Sequence, residues 1–337
     1  MNALQRFVSE PSSPTPLALF RVGLSGLLLL QAWTLSGHLL ELFGNRGWIP
    51  WALSAPMASP WMPRLDTLVQ TLARLGLTEA EGIEALTLGY TLALVGLGLG
   101  WRTRPCAIAA WLLHTTLLNS GPLFIYGVEL FAHLSLFYCV VMPVGEALSL
   151  DRLAGRASGE PSAAATLSLR VLQLHLCGVY LSTGIEKALG PAWREGTALW
   201  ETLMQPTYAR FDFSWMASYP WVSRLGSWGT LVIEIGYAVF IWPRQTRRLW
   251  VGLTLGLHLG IAVLMGLWMF SATMAMLTFC AFGWEALVGP RPHPTLFTWK
   301  PMRGKWTTTS PARASTLRTA TSFARDSTSS PSTGSMP

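Results

Sequence analysis

Long apolar stretches recur along the chain and are separated by short polar or basic segments. Eight of these stretches approach the roughly 20 residues that an α-helix needs to cross the hydrocarbon core of a bilayer. Apolar and polar residues do not alternate as they do in the strands of a membrane barrel, so we predict eight transmembrane helices. They run near residues 17–40, 83–100, 106–122, 125–142, 167–187, 225–242, 249–266 and 267–288.

The pattern divides the chain into three parts. Residues 1–16 form a polar N-terminal segment, residues 17–288 form the membrane domain, and residues 289–337 form a tail rich in Ser, Thr, Arg and Pro. The composition of that tail is typical of disorder. Within the membrane domain the last two predicted spans are joined only by Gly266-Leu267, which predicts a tight antiparallel pair.

Two long connections between the spans carry their own apolar pattern. Residues 65–77 place Leu65, Val69 and Leu72 on one helical stripe, which predicts an amphipathic helix lying at the membrane interface. Tryptophans are frequent in both connections, as in an aromatic belt at the membrane surface or in a lid over an outward-facing pocket. We therefore expect structured outer loops.

The composition supports a membrane protein and excludes other classes. Hydrophobic residues make up 51% of the chain and charged residues only 12%, about half the share in a typical soluble domain. The net charge of +7 is explained by basic loops and the basic tail, and no nucleic-acid-binding motif is present. The four cysteines occur singly inside apolar stretches, so we assign no metal site and no disulfide framework.

The distribution of arginines predicts the orientation in the membrane. The loops at 101–105, 143–166 and 243–248 hold seven arginines in 35 residues, whereas the opposite loops hold six in 81. By the positive-inside rule the first set is cytoplasmic, which also places both termini in the cytoplasm. In a bacterial host such a set of helices suits the inner or plasma membrane.

Several polar residues fall at membrane depth, where a polar group is costly and is a functional candidate. Glu129 and His133 share one helix face and could form a proton-transfer pair, half of a metal site, or a structural pair between helices. Glu234 needs a partner, either a histidine or Lys187. Arg21 and Arg170 lie near the cytoplasmic ends, where snorkelling to the surface would satisfy them. The seven candidates are His114, Glu129, His133, His175, Lys187, Glu234 and His258.

The strongest local signal is residues 178–200, GVYLSTGIEKALGPAWREGTALW. Small residues precede Lys187 and allow close helix packing, and Gly190-Pro191 then ends the helix. Burial disfavours the charged form of a lysine, and a neutral lysine can act as a general base. The alternative is a lysine that snorkels into the outer headgroup region.

This segment resembles the signature of the HTTM family, the membrane region shared with vitamin K-dependent γ-carboxylases. The stretches at 17–30, 43–51, 126–152 and 268–279 agree with it. In the carboxylases a lysine in this segment deprotonates vitamin K hydroquinone on the lumenal side. Gly184, Lys187, Trp193 and Gly196 fill the matching pattern here, so the resemblance gives the role of base to Lys187.

The sequence leaves three functions open. The first is a quinol-dependent, carboxylase-like or oxidoreductase enzyme with an outward-facing pocket. There Lys187 is the base, Glu129, His133 and Glu234 relay or tune protons, and His175, Trp193 and His258 are the candidate cofactor-binding residues. The second is a non-catalytic membrane scaffold or assembly protein, and the third a proton-coupled transporter. The expected partners are the lipid bilayer, a quinone of the vitamin K type, and a protein substrate or partner.

Overall fold

The structure is a computed structural model that describes residues 2–121 and 126–288. The predicted disordered tail therefore lies outside the described residues. The described part contains no strand, and only an isolated antiparallel bridge joins Ser12 to Ser162. The predicted all-helical fold is thus confirmed for this part of the chain.

Long helices alternate with groups of short ones. In chain order the α-helices are α1 (Ala3–Ser9), α2 (Thr15–Leu35), α3 (Leu39–Phe43), α4 (Trp51–Ser54), α5 (Leu65–Ala73), α6 (Glu79–Leu99), α7 (Thr103–Ser120), α8 (Gly127–Val141), α9 (Leu150–Leu153), α10 (Ala163–Leu189), α11 (Pro191–Glu195), α12 (Ala198–Leu203), α13 (Pro220–Phe240), α14 (Arg244–Met265), α15 (Trp268–Thr278) and α16 (Trp284–Val288). Short 3₁₀ turns lie at Ser36–His38, Ala55–Met57 and Ser214–Ala217, and a π-turn at Phe279–Gly283 joins α15 to α16.

Helix α2 is the centre of the bundle, because it packs against α6, α8, α10 and α15. Its side chains Leu17, Phe20 and Leu24 are buried and belong to the main apolar core. A smaller cluster of Leu65, Val69 and Ile83 fixes α5. Of the amphipathic helix predicted at 65–77, the structure has Leu65–Ala73 as α5, and its buried face packs on protein.

Five segments of the described chain are long and apolar enough to cross a membrane: Thr15–Phe43, Glu79–Leu99, Ala163–Leu189, Arg244–Met265 and Trp268–Val288. Helices α7, α8 and α13 occupy the other three predicted positions without meeting both conditions. The 15 residues of α8, for example, span about 22 Å, which is less than the roughly 30 Å of the hydrocarbon core. The count of eight and the orientation remain predictions.

The outward faces of the helices are strongly apolar. Leu92 on α6, Leu225 and Val232 on α13, and Leu259 on α14 are each exposed by more than 60%. Large exposed apolar side chains on several long apolar helices are typical of contact with another apolar phase. The lipid bilayer supplies it.

The prediction that Arg21 and Arg170 snorkel to the surface is wrong. Arg21 is completely buried, and its guanidinium donates to the Leu148 carbonyl at 2.5 Å. Arg170 is also buried: it donates to the Phe7 carbonyl at 3.2 Å and lies 4.4 Å from the Phe7 ring centroid. Neighbouring segments cover both helix ends and supply a carbonyl to each side chain, although Nε and Nη1 of Arg21 have no hydrogen-bond partner among the described residues.

Asp151 caps helix α7 from a distant loop. Its carboxylate accepts hydrogen bonds from the backbone N–H groups of Arg102 and Thr103 at 3.0 and 2.8 Å, and from the Thr103 hydroxyl at 2.7 Å. Arg156 adds a fourth hydrogen bond at 2.9 Å. Burial alone would raise the pKa of Asp151, but these hydrogen bonds outweigh it and lower the pKa from 3.8 to about 2. The negative charge also faces the positive end of the α7 dipole.

This cap predicts acid sensitivity. Because the folded-state pKa of Asp151 is depressed, its contribution is complete above pH 4 and is lost as the pH falls toward 2. We expect Asp151→Asn to cost about 1–3 kcal/mol at neutral pH. It should also flatten the fall of the thermal midpoint between pH 4 and 2 for the protein in detergent. Glu160→Gln, in an exposed position of the same loop, is the control. An unchanged acid profile in Asp151→Asn would contradict the prediction.

Candidate functional site

Helices α10 and α13 approach closely at Gly184. A Cβ at this position would lie 2.8 Å from Ile235 Cγ1 and 3.1 Å from both Glu234 Cβ and the Ile235 nitrogen. Only a residue without a side chain fits such a seam. The close approach brings Glu234 on α13 within reach of the α10 residues one turn further along the chain.

Lys187 is the partner that Glu234 needs. Its ammonium donates to both carboxylate oxygens, at 3.0 and 2.8 Å. The Lys187 side chain is 29% exposed and the Glu234 side chain only 9%, so Lys187 is the partner that can be reached from the surface. The Trp193 ring centroid lies 5.7 Å from the ammonium. Two of the predicted catalytic residues and one predicted cofactor-binding residue are therefore together.

The segment after α10 turns back and is fastened to α13. Gly196 ends α11 with a φ of +83°, and a Cβ there would lie 2.6 Å from Arg224 Cγ. Ser223 donates to the Gly196 carbonyl at 2.8 Å, and Ser227 and Ser223 accept from the N–H groups of Leu199 and Trp200 in the first turn of α12. The positive φ and the close approach explain the glycine at 196. This turn keeps Trp193 beside Lys187.

Enlarging Gly184 tests the seam. Gly184→Ala is expected to cost about 1–3 kcal/mol, because the new Cβ must displace the backbone or side chain of Ile235. Gly178→Ala on the same helix meets nothing within 4 Å and should be neutral or stabilising by about 0.5–1 kcal/mol. Thermal midpoints of both variants in detergent check this prediction. Equal midpoints would show that α10 and α13 do not touch at Gly184.

A buried hydrogen-bonded group lies deeper in the same half of the bundle. The Tyr180 hydroxyl is 2.7 Å from Nε2 of His258 and 3.4 Å from the Thr278 hydroxyl. Tyr180 precedes Gly184 by four residues and Lys187 by seven, so all three share one face of α10. Nδ1 of His258 is buried and has no hydrogen-bond partner in the described residues. His258, predicted to bind a cofactor, thus joins the Lys187 face of α10 through Tyr180.

Glu129 lies in a second polar cluster. Its two oxygens accept hydrogen bonds from the Gln31 amide at 3.2 Å and from the Tyr126 backbone N–H at 3.0 Å. Its backbone carbonyl is 3.4 Å from Nε2 of His114, and Nδ1 of His114 is 3.0 Å from the Tyr90 hydroxyl. The cluster joins α2, α6, α7 and α8.

His133 borders the Glu129 cluster, because its ring stacks 6.3 Å from the His114 ring, whereas His175 contacts Tyr138 instead. His133 shares a helix face with Glu129, but its Nδ1 is 3.4 Å from the Thr115 hydroxyl and its ring lies 5.6 Å from Trp111. The His175 ring packs edge-on against Tyr138 at 5.8 Å. Within residues 2–121 and 126–288, no three His, Cys, Asp or Glu side chains come together as metal ligands.

A cavity of about 370 Å³ opens beside the Glu129 cluster. It lies between the C-terminal end of α2, α3, α6, α7 and the start of α8. Its wall is mainly apolar, and its polar residues are Gln31, Thr34, Thr87, Tyr90, His114, Tyr126 and Glu129. Lys187 and Glu234 are not among its lining residues.

Sequence reasoning missed Tyr180, Gln31 and Tyr90. The spacing of Tyr180 from Lys187 was a usable signal, because residues seven apart lie on one helix face. Gln31 is a polar residue inside the apolar run of α2 and meets the same criterion of membrane depth as the other candidates. Tyr90 is recognisable only once α6 is packed on α7.

The comparisons with known proteins give one result. A family model described as "HTTM domain" matches residues 67–284, about two thirds of the chain. The matched range contains the Lys187–Glu234 pair, Trp193, Tyr180, His258 and Glu129. Neither the comparison with curated proteins nor that with solved structures finds a match.

Proposed function

The chain belongs to the HTTM family and is a polytopic membrane protein, and from this premise we propose that it is an enzyme that deprotonates a quinol at the Lys187–Glu234 pair. The observation that carries the proposal is the two-pronged contact of the Lys187 ammonium with the Glu234 carboxylate, at 2.8 and 3.0 Å. An ionisable pair inside a membrane bundle is a functional candidate in its own right. The resemblance to the carboxylases adds the substrate class and the carboxylase-like reaction that would follow.

The surroundings of the pair suit a hydroxylated ring. The partly exposed Lys187 ammonium can be reached from outside the bundle, and Trp193 offers an aromatic face beside it. Aromatic rings prefer offset or edge-to-face contacts with one another. A ring bound against Trp193 would therefore hold its hydroxyl near Lys187. By the charge-derived topology, this end of α10 faces outward.

The two residues act as a unit in this proposal. Lys187 and Glu234 together gain one proton from the quinol hydroxyl and end as an ammonium and a carboxylic acid. Interacting groups of this kind titrate as a pair, so the uptake of the proton is a property of the pair and not of one residue. The Lys187 ammonium then lies next to the new oxyanion and stabilises it. Glu129 and His133 lie in the other cluster, so their predicted relay role receives no contact from this pair.

Binding of a naphthoquinol to the detergent-purified full chain tests the proposal. Under anaerobic reducing conditions we expect the wild type to bind menadiol saturably. We also expect bound menadiol to lose its hydroxyl proton about one pH unit or more below free menadiol, as seen in its absorbance. Lys187→Met and Glu234→Gln should each abolish most of that shift, because the two residues take up the proton as a unit.

The control is Glu186→Gln, which removes an exposed carboxylate next to Lys187 and should behave as the wild type. Absence of menadiol binding to the wild type would overturn the proposal. A normal absorbance shift in a folded Lys187→Met variant would remove Lys187 from the reaction.

A non-catalytic scaffold is the second candidate function. It is favoured by the same contacts, because Lys187 and Glu234 satisfy each other and join α10 to α13, while Gly196 and Ser223 fasten the following turn. In a scaffold the pair would serve packing alone. The menadiol experiment separates the two functions, since a scaffold binds no quinol.

A further inference from the structure

The cavity beside Glu129 has no part in the proposed quinol chemistry. Its mouth lies near the exposed residues Thr34 and Tyr126, at the C-terminal end of α2 and the start of α8. Its depth is closed by Tyr90 and His114, which are both 5% exposed. A volume of about 370 Å³ falls in the range of small-molecule sites.

The described lining of the cavity carries negative charge only. Glu129 is its only carboxylate among the described residues, and no Lys or Arg belongs to the described lining. Among the described residues, a ligand that enters this cavity therefore meets one carboxylate and no cationic side chain.

The hydrogen bonds of Glu129 favour the carboxylate form. Both of its oxygens accept, one from Gln31 and one from the Tyr126 N–H. An ionised carboxylate is an acceptor only and suits two donors. Glu129 also lies in the first turn of α8, where the helix dipole stabilises a negative charge.

Aromatic residues complete the lining. Phe43, Tyr90 and Tyr126 border the same space as Glu129, and leucines of α2, α3 and α7 form much of the apolar wall. Aromatic faces attract organic cations, and aromatic cages with a nearby carboxylate are a recurring site for alkylated ammonium groups. An anionic headgroup would lack a counter-charge here.

We propose that this cavity binds an amphipathic organic ammonium, with the cationic nitrogen against Glu129 and the apolar body among the leucines. The site is separate from the Lys187–Glu234 pair and does not depend on the quinol chemistry. A phospholipid is a poorer match, because its phosphate would find no Lys or Arg in the described lining.

A charge series on the wild type tests the proposal without any substitution. We would titrate the full chain in non-ionic detergent with 4-phenylbutyltrimethylammonium, 4-phenylbutanol and 4-phenylbutyrate, using calorimetry. The ammonium is expected to bind about tenfold or more tightly than the alcohol, and the carboxylate not measurably. Equal affinity for ammonium and alcohol would overturn the proposal, as would preference for the carboxylate.

Two variants then locate the site. Glu129→Gln should lower the ammonium affinity about tenfold and leave the alcohol unchanged, while Glu84→Gln, an exposed acid on α6, should change neither. Phe43→Leu removes one ring without touching the Glu129 hydrogen bonds and should weaken the ammonium by about two- to fivefold. Unchanged ammonium binding in folded Glu129→Gln and Phe43→Leu variants would place the cation elsewhere. A folded Lys187→Met variant should bind the ammonium as tightly as the wild type, so a failure here is distinguishable from a failure at Lys187.

Discussion

Replacing Gly100 by alanine is expected to lower the free energy of unfolding by about 3 kcal/mol or more. Gly100 follows the last residue of α6 with a φ of +68°, a conformation that costs other residues about 1–2 kcal/mol. A Cβ there would also collide with Arg21 Nη1 and Ser149 Cβ, and would lie 2.8 Å from Ser149 Cα. Overpacking of this kind adds about 1–3 kcal/mol.

The surroundings of Gly100 leave little room for adjustment. Arg21 is fully buried and held by the Leu148 carbonyl, and the Gly100 carbonyl accepts from the Asp151 N–H at 2.9 Å. Moving the loop to admit a methyl group would therefore disturb the loop that carries Asp151, the cap of α7. Because of this coupling, we expect Gly100→Ala to lower the free energy of unfolding more than Gly184→Ala does.

Gly76→Ala is the matched control. Gly76 also has a positive φ, +91°, but a Cβ there meets nothing within 4 Å. We expect a loss of about 1 kcal/mol from backbone strain alone. Thermal midpoints of the detergent-purified variants compare the two. If both variants lost the same stability, the contact between Gly100 and Arg21 would be disproved.

Helix positions were predictable because each depends on local pattern. The tight pair at Gly266-Leu267 is confirmed: α14 ends at Met265, Gly266 has a φ of +74°, and α15 begins at Trp268. Where boundaries differ, capping explains the shift. Helix α13 begins at Pro220, five residues before the predicted 225, since proline is suited to the first helical turn. Helix α1 was missed although Asn2 and Gln5 form a capping box.

Contacts between residues far apart in the sequence were harder to predict. The sequence indicated that Glu234 needs a partner but could not choose Lys187, because the two are 47 positions apart and meet only through the close approach at Gly184. Glu129 and His133 illustrate the opposite case. Their spacing puts them on one helix face. In the packed bundle, however, Glu129 hydrogen-bonds with Gln31, and His133 lies within hydrogen-bond distance of Thr115. A shared helix face limits which contacts are possible without selecting among them.

A double-mutant cycle on Lys187 and Glu234 is expected to show strong coupling. Removing one partner leaves an uncompensated charge in the bundle, which costs about 3–5 kcal/mol for a fully buried pair and less where water reaches one side. Glu234 is the more buried partner, so Lys187→Met, which strands its carboxylate, should cost about 2–4 kcal/mol. Glu234→Met should cost about 1–3 kcal/mol, because the ammonium left behind can turn toward solvent.

The double variant is expected to be more stable than Lys187→Met alone, with a coupling free energy of about 1–2 kcal/mol or more, since two packed methionines need no counter-charge. The control cycle pairs Lys187→Met with Glu186→Met, whose side chain is exposed, and should be additive. Additivity for Lys187 and Glu234 would mean that the ion pair does not form. A folded double variant also separates the two proposed functions, because it keeps the helix seam and removes the base. If both the wild type and the double variant lower the pH at which menadiol loses its proton, the pair takes no part in that chemistry. If the wild type lowers it and the folded double variant does not, the charge pair is needed for chemistry that packing does not require.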